Sequence, residues 1–439
     1  MAAATRWSFS TTSGAAAAKA EEIPASDNVP MMTAWRSRPN ALGKRLFMFL
    51  ALDLAAIWLS FLASSSYQLA NGSARPCRDA LRPCCREELS LFKALHGQAR
   101  LCQKGDNFNQ RVVRVTGSTN IVRRSKIAEI DIAAYPYLSA LVERQIAAWP
   151  QHEPTLATSL GNRSLEVMRD TEASSELVTK IALHHFGTID KICHDYRYFC
   201  ENMILEAELF FRRHGRYERS KFSEAVRDVY SKPDVMEKYM NGLLLSGVFW
   251  HNHAGALTFY RSQYLPMLPE GYRHLEVGPG HGALLYLTAT DSRSGSIVGW
   301  DVSEGAIAAT RRTLEVIGVS DEVELVRQDM FDAPDQRDSF DSIVVSELLE
   351  HLEDPLKALR SLIRYLKPGG RILVNMPANS PAPDHLYLID KPSEMTDLMK
   401  AAGFEIEKNQ LFPMTGYGLE RCLKDRLTIN CVAVGRRPG

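Results

Sequence analysis

The chain has 439 residues, of which 45% are hydrophobic and 24% are charged. This composition is typical of a globular protein with two or three domains, and it excludes a collagen, a wholly disordered chain, a polytopic membrane protein and a small disulfide-stabilised protein. The 52 basic and 52 acidic residues give a formal net charge of zero, so the overall charge gives no reason to expect nucleic acid as a partner.

The neutral total conceals an uneven distribution of charge along the chain. Residues 1–120 contain 15 basic and 8 acidic residues, residues 121–268 contain 18 of each, and residues 269–439 contain 19 basic and 26 acidic residues. Such asymmetry indicates separate modules. We therefore predict a poorly structured basic extension, a central part and an acidic carboxy-terminal domain with these boundaries.

The amino-terminal part contains one apolar run, residues 46–63, which follows a basic stretch and is interrupted by Asp53. As a helix its 18 residues would span about 27 Å, just enough for a bilayer, but a central carboxylate costs about 2.5–3.5 kcal/mol. A membrane anchor, a dispensable extension and a start codon assigned too early all remain open. The eight cysteines of the chain, with Cys84 beside Cys85, lack metal-site spacing, which favours free thiols.

Apolar residues recur every three or four positions through the central part, which predicts a mostly helical domain. We expect this domain to cover the substrate of the domain that follows it. Its many tyrosines and phenylalanines are interpreted as core, with rings that line a substrate pocket as the alternative. His251 and His253 are two apart and lack further ligands at suitable spacing, so a substrate-facing or capping role is favoured over a metal. The predicted helices are Tyr137–Trp149, Ser174–Phe186, Ile189–His214, Ser220–Tyr230 and Pro233–Trp250.

After Pro269 short apolar strands alternate with helices, a pattern typical of βαβ units. It predicts an α/β fold, a Rossmann-like, seven-stranded, doubly wound sheet. The predicted strands are Tyr272–Val277, Ser296–Trp300, Val323–Arg327, Ser342–Val345, Arg371–Asn375, Phe404–Gln410 and Leu427–Val434. The predicted helices between them are Ala283–Ala289, Ser303–Ile317, Pro355–Leu366 and Pro392–Ala402.

A glycine-rich loop follows the first of these strands, with Gly278, Gly280 and Gly282 in the sequence GPGHG. Glycines there let the backbone turn tightly and approach a ligand closely. The second strand ends in Asp301, about 20 residues further on, where a carboxylate can accept hydrogen bonds from ribose hydroxyls. A nicotinamide-dependent dehydrogenase shares these two features, but its loop has the pattern GxGxxG.

Five segments in order, LEVGPGHG, WDVS, QDMF, SELLEHLEDP and LKPGGRILV, resemble the motifs of class I S-adenosylmethionine-dependent methyltransferases. The resemblance covers the last two-fifths of the chain and implies S-adenosylmethionine as cofactor. By resemblance, Glu276 and the three glycines cradle the methionine and ribose portions, and Asp301 holds the ribose hydroxyls. The remaining implied cofactor contacts are Asp329 on the adenine amino group, Met330 on the ring, and Ser346 at the end of the fourth strand.

The segment SELLEHLEDP carries candidate groups for the acceptor side of the site. Glu347, Glu350 and His351 would share a face if this turn were helical. The segment is similar to the ExxEH pattern of quinone-biosynthesis O-methyltransferases, where it holds a divalent cation, and to relatives in which it only packs and caps a helix. A cation, a base at His351 and a structural role therefore stay open, and no metal is included in the predicted site.

The loop after the fifth strand supplies the other acceptor-side candidates. His385 is the leading candidate for a base or an acceptor contact, so the predicted catalytic residues are His385, His351 and Glu347. Tyr387 and Tyr417 are predicted to line the pocket. The remaining candidate, for contact with an acidic substrate group, is Arg421.

The resemblance predicts methyl transfer to an oxygen or a carbon of a small molecule, because no segment resembles the amine-binding NPPY motif. The aromatic central part favours a hydrophobic or ring-bearing acceptor. The acidic domain disfavours nucleic acid, and a cytoplasmic location is expected. The alternatives are an enzyme anchored to a membrane through residues 46–63 that acts on a quinone or lipid, and a non-catalytic binding protein of the same fold.

Overall fold

The computed structural model describes residues 130–333 and 336–439. The predictions for residues 1–120, including the apolar run 46–63 and the four cysteines up to Cys102, lie outside these residues. None of the helices within the described part of the chain combines the length and the apolar character needed to cross a bilayer. The other four cysteines are free thiols, as predicted: Cys193, Cys200, Cys422 and Cys431.

The central part is helical, as its periodicity predicts. Its helices are α1 (Pro136–Ala148), α2 (Glu153–Gly161), α3 (Leu165–Phe186), α4 (Asp190–Tyr198), α5 (Leu205–His214), α6 (Phe222–Ala225), α7 (Pro233–Phe249) and α8 (His251–Phe259). Helices α2 and α8 were not predicted. Most residues of α8 are buried, so it lacks the polar face that makes a helix visible in a sequence.

Three π-helical segments interrupt or extend these helices. The predicted helix 189–214 is broken by Phe199–Ile204, α6 continues into Val226–Tyr230, and α8 continues into Tyr260–Tyr264. A π-helical segment changes the direction of the side chains that follow it, and such segments are frequent at functional sites. The segment that ends in Tyr230 reaches the site described below.

Aromatic side chains form the centre of the helical core, as predicted. Tyr196, Phe199 and Phe249 are fully buried, and the indole Nε1 of Trp250 donates a 2.8 Å hydrogen bond to the hydroxyl of Tyr196. A Cβ at Gly242 would lie 2.3 Å from the ring of Phe199, so only glycine allows α7 to pass this ring. The same core extends to residues of two helices that cover the sheet.

The carboxy-terminal part contains the predicted seven-stranded sheet. Its strands are β1 (Tyr272–Val277), β2 (Ser294–Asp301), β3 (Val323–Arg327), β4 (Phe340–Ser346), β5 (Leu366–Ala378), β6 (Glu405–Pro413) and β7 (Ile429–Arg436). The strand order is β3-β2-β1-β4-β5-β7-β6. Strands β1 to β5 pair in parallel, whereas β7 lies antiparallel between β5 and β6. The helices around the sheet are α9 (Ala283–Ala289), α10 (Glu304–Ile317), α11 (Pro355–Leu362), α12 (Pro392–Ala401) and α13 (Leu419–Asp425).

The largest boundary error around the sheet lies between α11 and β5, and one helix of this part was not predicted. Helix α11 ends at Leu362, and β5 begins at Leu366 rather than Arg371. The segment KPGG forms an irregularity in the pairing of β5 with β4, and Gly369 has a positive φ of 79°, so a stretch that resembles a turn belongs to a bulged strand. The short helix α13 was missed.

The strand order reverses between β1 and β4, which lie side by side with Val277 opposite Val345. In doubly wound sheets a ligand binds beyond the carboxyl ends of the strands at this reversal. The loops that leave the two strands touch, because a Cβ at Gly278 would lie 3.1 Å from Cδ1 of Leu348. The fold therefore places the glycine loop beside the segment that begins at Glu347.

Candidate functional site

The glycine loop adopts a backbone that side chains disfavour. Gly278, Gly280 and Gly282 have φ values of +70°, +53° and +77°, in the left-handed region that costs an L-residue about 1–2 kcal/mol. A Cβ at Gly280 would meet nothing within 4 Å. The loop is therefore held in a special conformation with open space beside Gly280, as expected where a backbone cradles a ligand.

Glu276 precedes this loop and is buried at 4% exposure. Its Oε2 has no hydrogen-bond partner, and burial raises the pKa of the carboxyl group to about 8. A buried polar atom without a partner is costly, and a donor or cation on a ligand would satisfy it. Glu276 and the open loop therefore fit the amino and methionine portion of S-adenosylmethionine.

The predicted acids Asp301 and Asp329 follow adjacent strands. Oδ1 of Asp301 accepts a 2.8 Å hydrogen bond from the amide of Ser303, and Oδ1 of Asp329 accepts a 2.9 Å bond from the amide of Phe331. Because β2 pairs with β3 up to Asp301, both acids lie at the same edge of the sheet. Burial raises the pKa of Asp301 above its usual value.

The expected position of Met330 against an adenine ring is not supported. Its side chain belongs to the core and is 7% exposed, and its carbonyl accepts hydrogen bonds from the side chains of Ser361 and Tyr365. The apolar surface beside the two acids instead belongs to Val302 and Phe331, which are 54% and 38% exposed. The sequence signal for Val302 and Phe331 is an apolar residue one or two positions after each acid, in a segment predicted to be a loop.

Glu347 does not lie in a helical turn, so the expected common helix face is wrong. Its φ is +51°, its amide donates to the carbonyl of Asn375 at 2.9 Å, and only Leu349–His351 form a 3-10 turn. Ser346 lies just before it and accepts a 3.1 Å hydrogen bond from the Asn375 side chain. A non-glycine residue in this conformation is uncommon and often marks a functional site.

An asparagine relay anchors the carboxylate of Glu347. Nδ2 of Asn430 on β7 donates to Oε1 of Glu347 at 2.7 Å, and Nδ2 of Asn252 on α8 donates to Oδ1 of Asn430 at 2.6 Å. Burial raises the pKa of Glu347 to about 7. The sequence signal for Asn430 is a polar residue within an otherwise apolar strand.

Glu350 is completely buried, and neither of its carboxylate oxygens has a hydrogen-bond partner. Burial and the neighbouring Glu347 raise the pKa of Glu350 well above its usual value. The carbonyl of Glu350 accepts hydrogen bonds from the amides of Leu386 and Tyr387 at 2.7 and 3.0 Å. These bonds join the segment after β4 to the loop after β5.

The two predicted histidines come together at this junction. The rings of His351 and His385 lie 4.8 Å apart and nearly perpendicular. Nδ1 of His385 donates a 2.6 Å hydrogen bond to the carbonyl of Ser380, and burial lowers the pKa of His385 to about 4. Glu350, His351 and His385 each offer one ligand atom within 4.8 Å of the others, so among the residues that the structure describes these three could share a cation.

Asp384, which sequence reasoning did not select as a site residue, lies at the centre of the cluster. It is 1% exposed, and it accepts hydrogen bonds from the hydroxyls of Tyr230 at 3.0 Å and Tyr239 at 2.9 Å. Its Oδ2 lies 3.4 Å from Nδ1 of His351. Burial opposes its ionisation, but His351 and His385, together with the two phenols, hold the pKa of Asp384 below its usual value.

The remaining predicted residues lie apart from this cluster or in structural positions. Tyr387 packs partly buried against the sheet core, whereas Tyr417 is 45% exposed, which does not support a pocket-lining role for it. Arg421 forms an ion pair with Asp425 along α13, so its charge has a structural partner. Nδ1 of His253 lies 3.0 Å from Oγ of Ser246.

Comparisons with known proteins show which proteins this chain is similar to. Residues 249–409 match a family model described as a methyltransferase domain. The chain is 38% identical over 114 residues to a demethylmenaquinone methyltransferase of Clavibacter sepedonicus, covering 26% of this chain and 44% of that protein. It is 31% identical over 158 residues to a ubiquinone/menaquinone biosynthesis C-methyltransferase of Pseudomonas fluorescens, covering 35% of this chain and 59% of that protein.

Among solved structures, a SAM-dependent methyltransferase from Aquifex aeolicus aligns with a TM-score of 0.32 at 21% identity, over 40% of this chain and 88% of that one. The chain spans about half the length of the curated relatives that it matches.

Proposed function

We propose that the protein transfers a methyl group from S-adenosylmethionine to a small molecule, because residues 249–409 match a methyltransferase domain and the five ordered motifs resemble those of class I S-adenosylmethionine-dependent methyltransferases. The observation that carries the proposal is the buried carboxyl group of Glu276, whose Oε2 has no hydrogen-bond partner, directly before a left-handed glycine loop. It lies at the reversal of the strand order, where this fold binds ligands.

The chain's own residues would hold the cofactor in three places. Glu276 and the glycine loop face the methionine portion, Asp301 accepts hydrogen bonds from the ribose hydroxyls, and Asp329 accepts a hydrogen bond from the adenine amino group. Val302 and Phe331 supply exposed apolar surface for the adenine ring. When bound, S-adenosylmethionine supplies a methyl group on a positively charged sulfur atom, which is already activated for transfer.

The acceptor would lie beside the cluster formed by Glu347, Glu350, His351 and His385. The protein has to orient the acceptor atom and remove a proton from a weakly acidic O–H or C–H group. The names of the similar proteins refer to menaquinone or ubiquinone, and the aromatic side chains of Tyr230 and Tyr239 reach the loop that carries His385. Both support a ring-bearing, hydrophobic acceptor that is methylated on oxygen or carbon.

No nucleic acid is proposed as a partner, because residues 269–439 carry 26 acidic and 19 basic residues. A cytoplasmic location is proposed, and attachment to a membrane through residues 46–63 is the alternative. Fractionation of cell extracts that contain the full chain or a deletion of residues 1–120 distinguishes the two. An equal soluble fraction for both proteins supports the first.

Two measurements on the full chain test the activity. Titration calorimetry with S-adenosylmethionine should give saturable binding, and absence of binding at about 1 mM cofactor would overturn the proposal. Incubation with methyl-labelled cofactor and a panel of phenols, hydroquinones and naphthoquinols should transfer the label to at least one compound. Binding without any transfer would favour a non-catalytic role.

A further inference from the structure

We propose that Asp384 is a positioning residue that makes His351, rather than His385, the group that accepts the proton from the methyl acceptor. The proposal rests on the proposed methyltransferase function and identifies the division of labour within its acceptor site. It is carried by the contacts of Asp384, by the different surroundings of the two histidines, and by the way the helical region holds the intervening loop.

Asp384 fixes the orientation of the His351 ring. Nδ1 of His351 lies 3.2 Å from the carbonyl oxygen of Asp384 and 3.4 Å from its Oδ2. Both oxygens only accept, so Nδ1 carries the hydrogen and Nε2 keeps its lone pair. This is the tautomer that a proton acceptor needs, and a charged carboxylate behind the ring stabilises the imidazolium that forms.

His385 is less suited to the same task. Its Nδ1 donates to the neutral carbonyl of Ser380 at 2.6 Å, so the group behind its ring is not a carboxylate. Its ring is buried and packs against those of Tyr217 and His351. The carboxylate oxygens of Asp384 instead lie against His351 and the two tyrosines.

The helical region determines where Asp384 lies. The hydroxyls of Tyr230 and Tyr239 donate to its two carboxylate oxygens, and a guanidinium nitrogen of Arg219 donates to the carbonyl of Pro383 at 2.6 Å. The amide of Ser380 donates to the hydroxyl of Tyr217 at 3.0 Å. The loop before His385 is thus held by side chains from residues 217–239. One of them, Tyr230, lies at the end of a π-helical segment.

The charge balance of the step follows from these contacts. The proton leaves the acceptor and binds Nε2 of His351, which becomes an imidazolium beside the Asp384 carboxylate. The titratable groups that face His351 from the packed elements are Asp384 and His385 on the loop after β5, Tyr230 on the helical region, and Glu350 beside it on the segment after β4. Before the transfer, the Asp384 carboxylate lies beside a neutral His351 ring. After the transfer, the two groups form an ion pair.

The first test is methyl transfer by an Asp384→Asn variant of the full chain. We expect kcat to fall at least ~10-fold with little change in KM for the acceptor, because the carboxylate that orients the His351 ring is gone. Cofactor affinity should stay unchanged. An unchanged kcat with normal folding would overturn the proposal. The matched control is Asp397→Asn, since Asp397 is exposed on α12.

Tyr239→Phe provides a second variant in case Asp384→Asn does not fold. It removes one donor to the carboxylate and should lower kcat several-fold with little change in KM for the acceptor. An unchanged kcat would count against a role of the helical region in positioning.

Chemical rescue separates the two histidines. Added imidazole should restore part of the activity of His351→Ala, which should lose about 100-fold or more, but should not rescue His385→Ala. Rescue of His385→Ala alone would reverse the assignment. Loss of activity on chelation that Mn²⁺ or Zn²⁺ restores would reassign Glu350, His351 and His385 as metal ligands and overturn the proposal. If calorimetry detects no cofactor binding by the unmodified chain, the proposed function itself fails, which is a distinct outcome.

Discussion

The hydroxyl of Tyr239 on α7 donates a 2.9 Å hydrogen bond to Oδ1 of Asp384, which lies 145 positions further along the chain in the loop after β5. Both residues are buried. The bond joins the helical region to the loop that carries His385, so a side chain of the helices takes part in the cluster proposed to face the methyl acceptor. A buried hydrogen bond to a charged group is also among the stronger ones in a protein.

Replacement of Tyr239 by phenylalanine should therefore destabilise the fold. The change removes one donor from a buried carboxylate, and we expect the free energy of unfolding to fall by roughly 1.5–3 kcal/mol. Urea denaturation at pH 7 measures it. Tyr198→Phe is the control, because the Tyr198 ring is partly exposed and its contact with Lys238 involves the ring face. Equal effects of the two substitutions would contradict the importance of the Asp384 contact.

Two glycine substitutions separate backbone strain from ligand contact. Gly280 and Gly318 have φ values of +53° and +75°, and an added Cβ would meet nothing within 4 Å at either position. Alanine should lower the free energy of unfolding by about 1–2 kcal/mol at both. Only Gly280→Ala should weaken the binding of S-adenosylmethionine measured by calorimetry, because only that Cβ would enter the cofactor's space. Equal cofactor affinities for both variants would remove the glycine loop from the binding site.

Asp301→Ala should weaken cofactor binding by about 10- to 100-fold, since it removes the acceptor for the ribose hydroxyls. Adenine alone should compete equally well for both proteins, because it lacks the ribose. Asp321→Ala, on an exposed turn before β3, is the control and should bind normally. If Asp301→Ala also binds normally, the ribose lies elsewhere.

Glu276→Gln should increase the stability of the cofactor-free protein, and the increase should grow with pH. The pKa of Glu276 rises from 4.5 to about 8 on burial, so between these values the folded state holds a proton that the unfolded chain has released. Raising the pH in this window therefore destabilises the fold through Glu276, and glutamine removes that effect. Denaturation at pH 5 and pH 8 measures the difference, with the exposed Glu324→Gln on β3 as the control. A constant difference across this range would contradict the raised pKa.

The repeating strands could be predicted because local patterns determine them. Apolar runs bounded by glycine, proline and acidic residues placed all seven strands, with errors of a few residues at their ends. The exception was the start of β5, where KPGG indicates a turn but forms a bulge held by neighbouring strands. The missed helix α8 is mostly buried, so its sequence carries no amphipathic pattern.

The acceptor site could be predicted only in part. His351, His385 and Glu347 were selected from their motif and loop positions, and the structure brings them to one edge of the sheet. The helical arrangement expected for Glu347 was wrong, because its positive φ and its bond to Asn375 arise from the pairing of β4 with β5. Met330 was assigned to the adenine but belongs to the core.

The sequence by itself determined the class of sheet, the glycine loop and the acids that follow β1, β2 and β3. These features depend on residues close together in the chain, and their spacing carries the signal. Only the tertiary structure decided the hydrogen-bond partners within the cluster proposed as the acceptor site. Tyr239 meets Asp384, and Asn252 reaches Glu347 through Asn430, because the helical region packs against loops more than 100 residues away. No local pattern records which distant side chains will satisfy a buried carboxylate, since that depends on how the whole fold closes around it.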